Sequence, residues 1–277
     1  MTRITETVKH LIIINVLLWV ATLVLGERGI DLNALLALHF PENNLFGFWQ
    51  PITSMFMHSV VDPTHILFNM IALWMFGSDL EMRWGKIKFL SFYMITGVGA
   101  GLIHTLINYI EFYPLTQEIV NLNLTAEQLK QVINIDMVRS NRFMGEILYN
   151  KLPAILDTSQ FNAVTANEGY FRALFDMNIS NQTRAVGASG ALYGVLVAYG
   201  VLYQNREIML MFIPIPIKAK YFILGLLAYD SVSALSGGNG IFGGGNVAHF
   251  AHIGGALFGL LLMWYFDKTQ FNKNRWD

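Results

Sequence analysis

The chain has 277 residues and a formal net charge of −1, with 54% apolar and 13% charged residues. Soluble globular chains contain about 25% charged residues, so the composition argues against a soluble protein, and the near-neutral charge gives no sign of a nucleic-acid partner. The sequence contains no cysteine, which excludes disulfides, thiolate metal sites and a cysteine nucleophile.

Apolar runs long enough to cross a bilayer recur along the chain, and a spanning helix needs about 20 such residues. We predict that the following segments span the membrane: 8–26, 64–81, 88–111, 186–204, 219–235 and 247–266. The first run follows Arg3 and Lys9 as a signal peptide would, but no small-residue cleavage site closes it, and we interpret it as a retained helix. The second and fifth runs are the weakest because they carry Asn69, Asp79 and Asp230.

The basic residues predict the orientation of these spans. Lys and Arg are frequent near both termini and in the connections after the second and fourth runs, whereas 27–63 holds only Arg28 and 236–246 holds neither. Because short loops rich in Lys and Arg stay on the inner side, both termini are predicted to be cytoplasmic. We expect a multi-pass protein of the bacterial inner membrane.

The connections between the runs differ in character. Residues 27–63 form a long loop with apolar patches, which we predict to lie in the membrane interface. Residues 112–185 form a polar insertion in which Thr125 begins a pattern typical of a capped helix, and further short helices are predicted to follow. The segment from Phe212 to Lys218 is too short and too rich in proline to span, so it is predicted to lie along the cytoplasmic surface, and the Gly-rich loop 236–246 is predicted to be mobile.

Polar side chains lie at similar depth in three of the predicted spans. The second, fourth and sixth spans all begin at the outer face, and their first turns contain His65, Asn69, Ser189, His249 and His252. At about 1.5 Å per residue, these lie within roughly 10 Å of the outer ends. Polar groups are costly inside a membrane, so this coincidence indicates a functional site. A serine beside an imidazole predicts a nucleophile and its general base.

Small residues provide the means for close approach of two of these helices. They form one stripe on the fourth span and another on the sixth: Gly187, Gly190 and Gly194, and Ala251, Gly255 and Gly259. Such faces let two backbones pack closely, which would bring Ser189 within hydrogen-bond reach of His252. Tyr193, one turn after Ser189, is placed to stack on that imidazole.

His65 and Asn69 are four residues apart and therefore share one face of the second span. Their N–H donors, with the backbone N–H of Ser189, could hold a developing oxyanion. His58 is interpreted as a loop residue near the outer surface.

Several alternatives remain open from the residues alone. Ser189 could be a packing serine, and His249 competes with His252 as the base. His249 and His252 also form an H-x-x-H pair, but without a third nearby ligand we predict no metal site. Asp230 is expected to pair with a neighbouring helix or to face the outer cavity rather than to orient His252.

Taken together, these segments resemble the rhomboid family of intramembrane serine proteases. The resemblance covers roughly 45–111 and 185–266 and is carried by these pieces in the family's order: His65-Ile-Leu-Phe-Asn69, Glu81-Met-Arg83-Trp-Gly85, Gly187-Ala-Ser-Gly190 with Tyr193, and Ala251-His-Ile-Gly-Gly255 with Gly259.

The resemblance implies an all-α bundle of six transmembrane helices, here with a helical extramembrane insertion between the third and fourth. It gives three regions: 1–111, 112–185 and 186–277. It further implies that Ser189 is the nucleophile and His252 the base of a dyad without an acid, that His65 and Asn69 join the Ser189 backbone in the oxyanion hole, and that Glu81 and Arg83 stabilise a turn.

Two features depart from the family's pattern. Trp49-Gln50 stands where the family often has Trp-Arg, so a structural contact from that arginine is expected to be missing. The insertion at 112–185 has no counterpart in the minimal pattern. The resemblance therefore does not indicate how a substrate reaches the site.

The sequence thus predicts an intramembrane serine endopeptidase, a hydrolase without cofactor, whose partners are the lipid bilayer and membrane proteins with a transmembrane helix. The alternatives are a non-catalytic member of the fold that binds transmembrane helices and, ranked last, a small transporter or channel. The substrate, its cleavage site and the oligomeric state are not specified by the residues.

Overall fold

A computed structural model describes residues 3–139, 142–210, 213–236 and 245–273 of the chain, and this part of the protein is mostly helical. The α-helices have these bounds: α1 Glu6–Gly26, α2 Leu32–Leu36, α3 Gln50–Thr53, α4 Pro63–Ala72, α5 Ser78–Trp84, α6 Lys86–Glu118, α7 Ala126–Ile133, α8 Gly145–Lys151, α9 Thr158–Ala166, α10 Glu168–Gln182, α11 Ser189–Leu202, α12 Ala219–Leu235 and α13 Gly245–Lys273.

Short elements complete the described structure. The 3₁₀ turns are Ser54–Phe56, Val120–Leu122 and Leu152–Ala154, and Leu73–Gly77 forms a π turn. The strands are β1 Val138–Arg139, β2 Arg142–Phe143, β3 Glu207–Leu210 and β4 Ile213–Lys218, which pair as two antiparallel hairpins.

Within the described residues, three helical segments are long and apolar enough to cross a membrane: α1, α6 and the part of α13 from His249 to Phe266. Helix α11 is apolar but shorter. The three long segments have 21, 33 and 18 residues, so each is long enough to cross a bilayer. The protein is therefore an integral membrane protein.

The second predicted span is helical from α4 through α5, with the π turn between them. It begins at Pro63, a residue suited to the first helical position, and the Asp62 side chain caps it by accepting from Thr64 N. It ends before Gly85, whose φ of +81° is unfavourable for a residue with a side chain. Local sequence thus sets both ends of this helical run.

Glu81 stabilises the start of α1 rather than only a local turn. Its carboxylate accepts hydrogen bonds from the backbone N–H groups of Thr7 and Val8, each at 3.0 Å, and from the Thr5 hydroxyl. Helix α1 has no cap from the Thr5 side chain, so Glu81 satisfies amides that would lack an intrahelical acceptor. The Arg83 guanidinium lies 6.0 Å from the centre of the Tyr203 ring.

Asp79, a weak point of the second predicted span, is buried and paired. Its Oδ2 lies 2.6 Å from a guanidinium nitrogen of Arg206, close to the start of β3. A buried carboxylate is tolerated when it is paired in this way.

The chain folds into two compact units, and the first comprises Met1–Ala37, Pro51–His104 and Ala185–Asp277. Its core includes fully buried aromatic rings on α6, at Phe89, Phe92 and Tyr93. Helix α11 is buried along most of its length, from Gly190 to Gly200. A helix with apolar and small residues on all sides is suited to such a central position.

The second unit comprises Leu38–Gln50 and Thr105–Arg184. The capped helix predicted at Thr125 is confirmed, because Thr125 and Gln128 form a reciprocal capping box at the start of α7. The core of this second unit includes buried aliphatic and methionine side chains, among them Met137, Leu148 and Met177.

Gln50 makes contacts of its own where the family often has arginine. Its buried side chain accepts from the backbone N–H of His39 at 3.1 Å and donates to the carbonyl oxygen of Leu45 at 2.7 Å. Glutamine thus makes structural contacts of its own at this position, and the expected loss of the arginine's contact stays a prediction. An amide can satisfy both a donor and an acceptor, whereas arginine only donates.

The structure describes much of the first of two predicted connections, 212–218, and little of the second, 236–246. The segment predicted to lie along the cytoplasmic surface contains β4, which pairs with β3 in a register of Glu207 opposite Lys218 and Ile208 opposite Ile217. Alternation of isoleucine with proline allows an edge strand, because each proline only removes a donor. Most of the loop predicted at 236–246 lies outside the described residues.

Candidate active site

Ser189 and His252 are in direct contact. Ser189 is the first residue of α11, His252 lies in the N-terminal half of α13, and the Oγ of Ser189 is 2.9 Å from Nε2 of His252. That is an ordinary hydrogen-bond distance. The contact between Ser189 and His252 is therefore present, as their similar depth in the predicted spans and the small residues around them led us to expect. The two residues are 63 positions apart in the sequence.

Glycines bring the backbones of α11 and α13 into contact beneath this pair. A Cβ atom placed on Gly255 would lie 1.9 Å from the carbonyl oxygen of Gly190, and one on Gly259 would lie 2.7 Å from the Cα of Gly194. No side chain fits at such distances. The two small-residue stripes thus face each other and fix the separation of Ser189 and His252.

Tyr193 stacks on the imidazole of His252, as its position one turn after Ser189 predicts. The ring centres are 4.3 Å apart and the planes are inclined by only 5°. Because the phenol ring covers one face of the imidazole, it restricts rotation of that ring.

Gly187 brings the segment before α11 against His65. The glycine has φ +127° and its N–H donates to the carbonyl oxygen of Ser54 at 2.9 Å. A Cβ there would lie 3.0 Å from Nε2 of His65 and 3.6 Å from Oγ of Ser189. The imidazole of His65 and the serine hydroxyl therefore both lie beside Gly187, and both conformation and space favour glycine at this position.

His58 is a part of the site that the sequence interpretation missed. It is fully buried, not a surface loop residue, and its Nε2 lies 3.0 Å from Nδ2 of Asn69. Its ring also lies edge-on to His65, at 5.2 Å between centres. Burial and, secondarily, the adjacent His65 lower the pKa of His58 to about 3. The neutral ring can accept from Asn69, which holds that amide and leaves its second Nδ2–H for another acceptor.

Asp230 completes the group of polar side chains around His252. Its side chain is almost fully buried, and Oδ1 lies 3.1 Å from Nδ1 of His252 and 2.5 Å from Nδ1 of His249. Asp230 does pair with a neighbouring helix, as expected, and its carboxylate also contacts Nδ1 of His252, a contact that the sequence interpretation did not anticipate. The register of α12 against α13, which brings the carboxylate to that face, has no signature in residue spacing.

The same three side chains have the residue types of a metal site, and their ligand atoms lie within 4.8 Å of one another. Two ligands of one tetrahedral zinc ion stand roughly 3.4 Å apart, given bonds of about 2.1 Å. The Asp230–His249 separation of 2.5 Å is shorter than that and matches a hydrogen bond between the two groups. The arrangement therefore fits proton sharing better than metal binding.

These observations define a helical integral membrane protein with a hydrogen-bonded serine and histidine between two closely packed helices. The family model for the Rhomboid domain matches residues 46–111 and 141–269. The chain belongs to the rhomboid family.

Curated relatives agree with this assignment. The chain is 27% identical to Rhomboid protease AarA of Providencia stuartii over 217 residues, which are 77% of this chain and 54% of the relative. It is 28% identical to the mitochondrial Rhomboid protein 1 of Saccharomyces cerevisiae over 124 residues, 43% of this chain and 34% of that protein. The matched stretches thus span about half of the first relative and a third of the second.

Proposed function

We propose that the chain is an intramembrane serine endopeptidase that cleaves membrane proteins in or beside a transmembrane segment. The observation that carries the proposal is the 2.9 Å contact between Oγ of Ser189 and Nε2 of His252. A serine hydroxyl is a weak nucleophile until a base in hydrogen-bond contact takes its proton. The name of the relative Rhomboid protease AarA supports the same activity.

In the proposed reaction, Oγ of Ser189 bonds to the carbonyl carbon of the substrate while its proton moves to Nε2 of His252. The carbonyl π electrons move onto the oxygen to give a tetrahedral oxyanion. His252 then passes the proton to the amine as the C–N bond breaks, which leaves an acyl-serine. Water, deprotonated by His252, hydrolyses this ester and restores the hydroxyl.

The proposed oxyanion donors are the backbone N–H of Ser189 and the side chains of His65 and Asn69. His65 and the Ser189 hydroxyl both lie beside Gly187, and Asn69 directs one side-chain N–H to His58, which leaves its second N–H for the oxyanion. Donors fixed before the reaction stabilise developing charge without reorganisation.

The arrangement in the membrane is also part of the proposal. Six spans, formed by α1, the run from α4 to α5, α6, α11, α12 and α13, would place both termini in the cytoplasm of a bacterium, with the insertion between the third and fourth spans outside the inner membrane. His252 keeps 22% of its side chain exposed, which would allow water to reach the acyl-serine. Substrate helices with small or helix-breaking residues should react best, because a regular helix conceals its carbonyl groups.

A serine-directed probe tests the proposal directly. We expect a fluorophosphonate to label the purified protein at Ser189 alone, because the imidazole of His252 contacts this hydroxyl and can take its proton, and mass spectrometry of the adduct would locate it. Ser78→Ala, which changes another buried serine, should label normally, whereas Ser189→Ala should not label. An inert Ser189 in folded protein would instead favour a non-catalytic rhomboid that binds transmembrane helices.

Loss of an oxyanion donor gives a second test. We expect Asn69→Ala to reduce kcat by roughly 10²-fold with little change in KM, since the lost hydrogen bond forms mainly in the transition state. Rates on a single-span model substrate in detergent would measure this. Asn15→Ala, which also removes a buried amide but on α1, provides the matched control and should retain kcat. Equal losses in the two variants would contradict the assignment of Asn69.

A further inference from the structure

Asp230 carries an ionisable carboxyl group in a buried position, where an unpaired charge would be unfavourable. Its side chain lies on α12, in a segment proposed to span the membrane, and only 1% of its surface is exposed. A carboxylate in such a place requires compensation by hydrogen bonds or opposite charge. The compensation comes from α13, where two imidazoles direct Nδ1 to the same carboxylate oxygen.

The contacts form a chain from the carboxylate to the serine. Oδ1 of Asp230 lies 3.1 Å from Nδ1 of His252, and Nε2 on the opposite side of the same ring lies 2.9 Å from Oγ of Ser189. A carboxylate only accepts, so this contact places a proton on Nδ1 of His252. In the neutral ring, Nε2 is then unprotonated and is directed at the serine hydroxyl.

We propose that Asp230 is a positioning residue that holds His252 in the tautomer able to take the proton of Ser189, so that this chain uses a Ser–His–Asp triad. The inference rests on the function proposed above. It departs from the acid-free dyad that the family resemblance implies, and it adds α12 to the helices that build the site. When the proton moves to Nε2, the carboxylate also stabilises the imidazolium that forms, without itself taking the proton.

Two neighbours keep this arrangement fixed. His249 bonds to the same oxygen of Asp230 at 2.5 Å, which holds the carboxylate in place. Tyr193 covers one face of His252 with parallel ring planes. The imidazole is thus restrained at its face, at Nδ1 and at Nε2, which is the preorganisation that a catalytic base requires.

The substitution Asp230→Asn tests the role, because the amide keeps the shape but removes the charge and can donate to Nδ1, favouring the wrong tautomer. We expect kcat per folded protein to fall by roughly 10³- to 10⁴-fold with KM within about twofold of the unchanged protein. Asp230→Glu, which retains a carboxylate, should recover part of the lost rate. Folded protein would be measured by circular dichroism and size exclusion in the same detergent.

Asp79→Asn is the matched control. It makes the same change at another buried, paired aspartate of the same unit, whose partner is Arg206. We expect it to lower the unfolding temperature while kcat per folded molecule stays within a few fold. A purely structural role for Asp230 would give the same pattern as Asp79→Asn, with equal kcat per folded molecule, and would overturn the inference.

The failure of this inference and that of the proposed function can be told apart. If the unchanged protein cleaves and labels at Ser189 while Asp230→Asn is as fast, the triad is wrong and the protease proposal stands. If the unchanged, folded protein neither cleaves nor labels, the protease proposal is overturned and the triad with it. ¹⁵N NMR of His252 gives an independent readout: a proton on Nδ1 that is lost in Asp230→Asn supports the role, and an unchanged tautomer contradicts it.

Discussion

Replacement of Ser189 with alanine should abolish proteolysis while leaving the fold intact. The change removes the oxygen that is proposed to attack the carbonyl, and we expect cleavage to fall by at least about 10⁴-fold, as happens when the nucleophile of a serine protease is removed. Because Ser189 is the first residue of α11 and its hydroxyl contacts His252, alanine adds no atoms and breaks no helical hydrogen bond. Cleavage of a fluorescent single-span substrate in proteoliposomes would measure the loss.

Ser78→Ala serves as the matched control, since it deletes a buried hydroxyl in α5. It should cleave at the rate of the unchanged protein. Undiminished cleavage by Ser189→Ala would rule out the covalent mechanism, whatever the unfolding temperature of that variant.

The substitution Gly255→Ala should have the largest effect on stability. The added Cβ would lie 1.9 Å from the carbonyl oxygen of Gly190 and 3.3 Å from its Cα, and both are backbone atoms that cannot rotate away. Helices α11 and α13 must therefore separate. Overpacking of this kind costs about 1–3 kcal/mol and more where backbone must shift, so we expect a large fall in the unfolding temperature or no recoverable folded protein.

A glycine on α12 provides the control for Gly255→Ala. A Cβ on Gly225 would have no atom within 4 Å, so Gly225→Ala should be neutral or slightly stabilising through its effect on the helix. Thermal unfolding of both variants in one detergent separates the close contact from a general effect of alanine. Equal unfolding temperatures would mean that the backbones of α11 and α13 are not in contact at Gly255.

The sequence was informative where chemistry and packing leave a pattern along one helix. Ser189, His252 and the facing glycines could be related to each other because helical spacing and depth in the membrane are both read from residue number. Tyr193 followed from the same spacing. These are also the residues whose contacts are now observed at 2.9 Å and 4.3 Å.

Other parts of the site depend on how separate segments are turned toward one another. Asp230 reaches His252 only because α12 presents one particular face to α13, and His58 reaches Asn69 only because the chain before α4 folds back over it. The spacing of residues along the chain indicates neither which face a helix turns toward its neighbour nor where a connecting segment folds back. The β3–β4 hairpin was missed for a different reason, because proline lowers strand propensity although it permits an edge strand.

The contact of Glu81 with the start of α1 has a consequence for biosynthesis. The amides of Thr7 and Val8 emerge from the ribosome 74 and 73 residues before the carboxylate that accepts from them. Until that part of the chain is made, those amides lack this acceptor and need another hydrogen-bond partner. The start of α1 therefore acquires this acceptor only after residue 81 has been added to the chain, so the end of α5 completes the hydrogen bonding of a helix made much earlier.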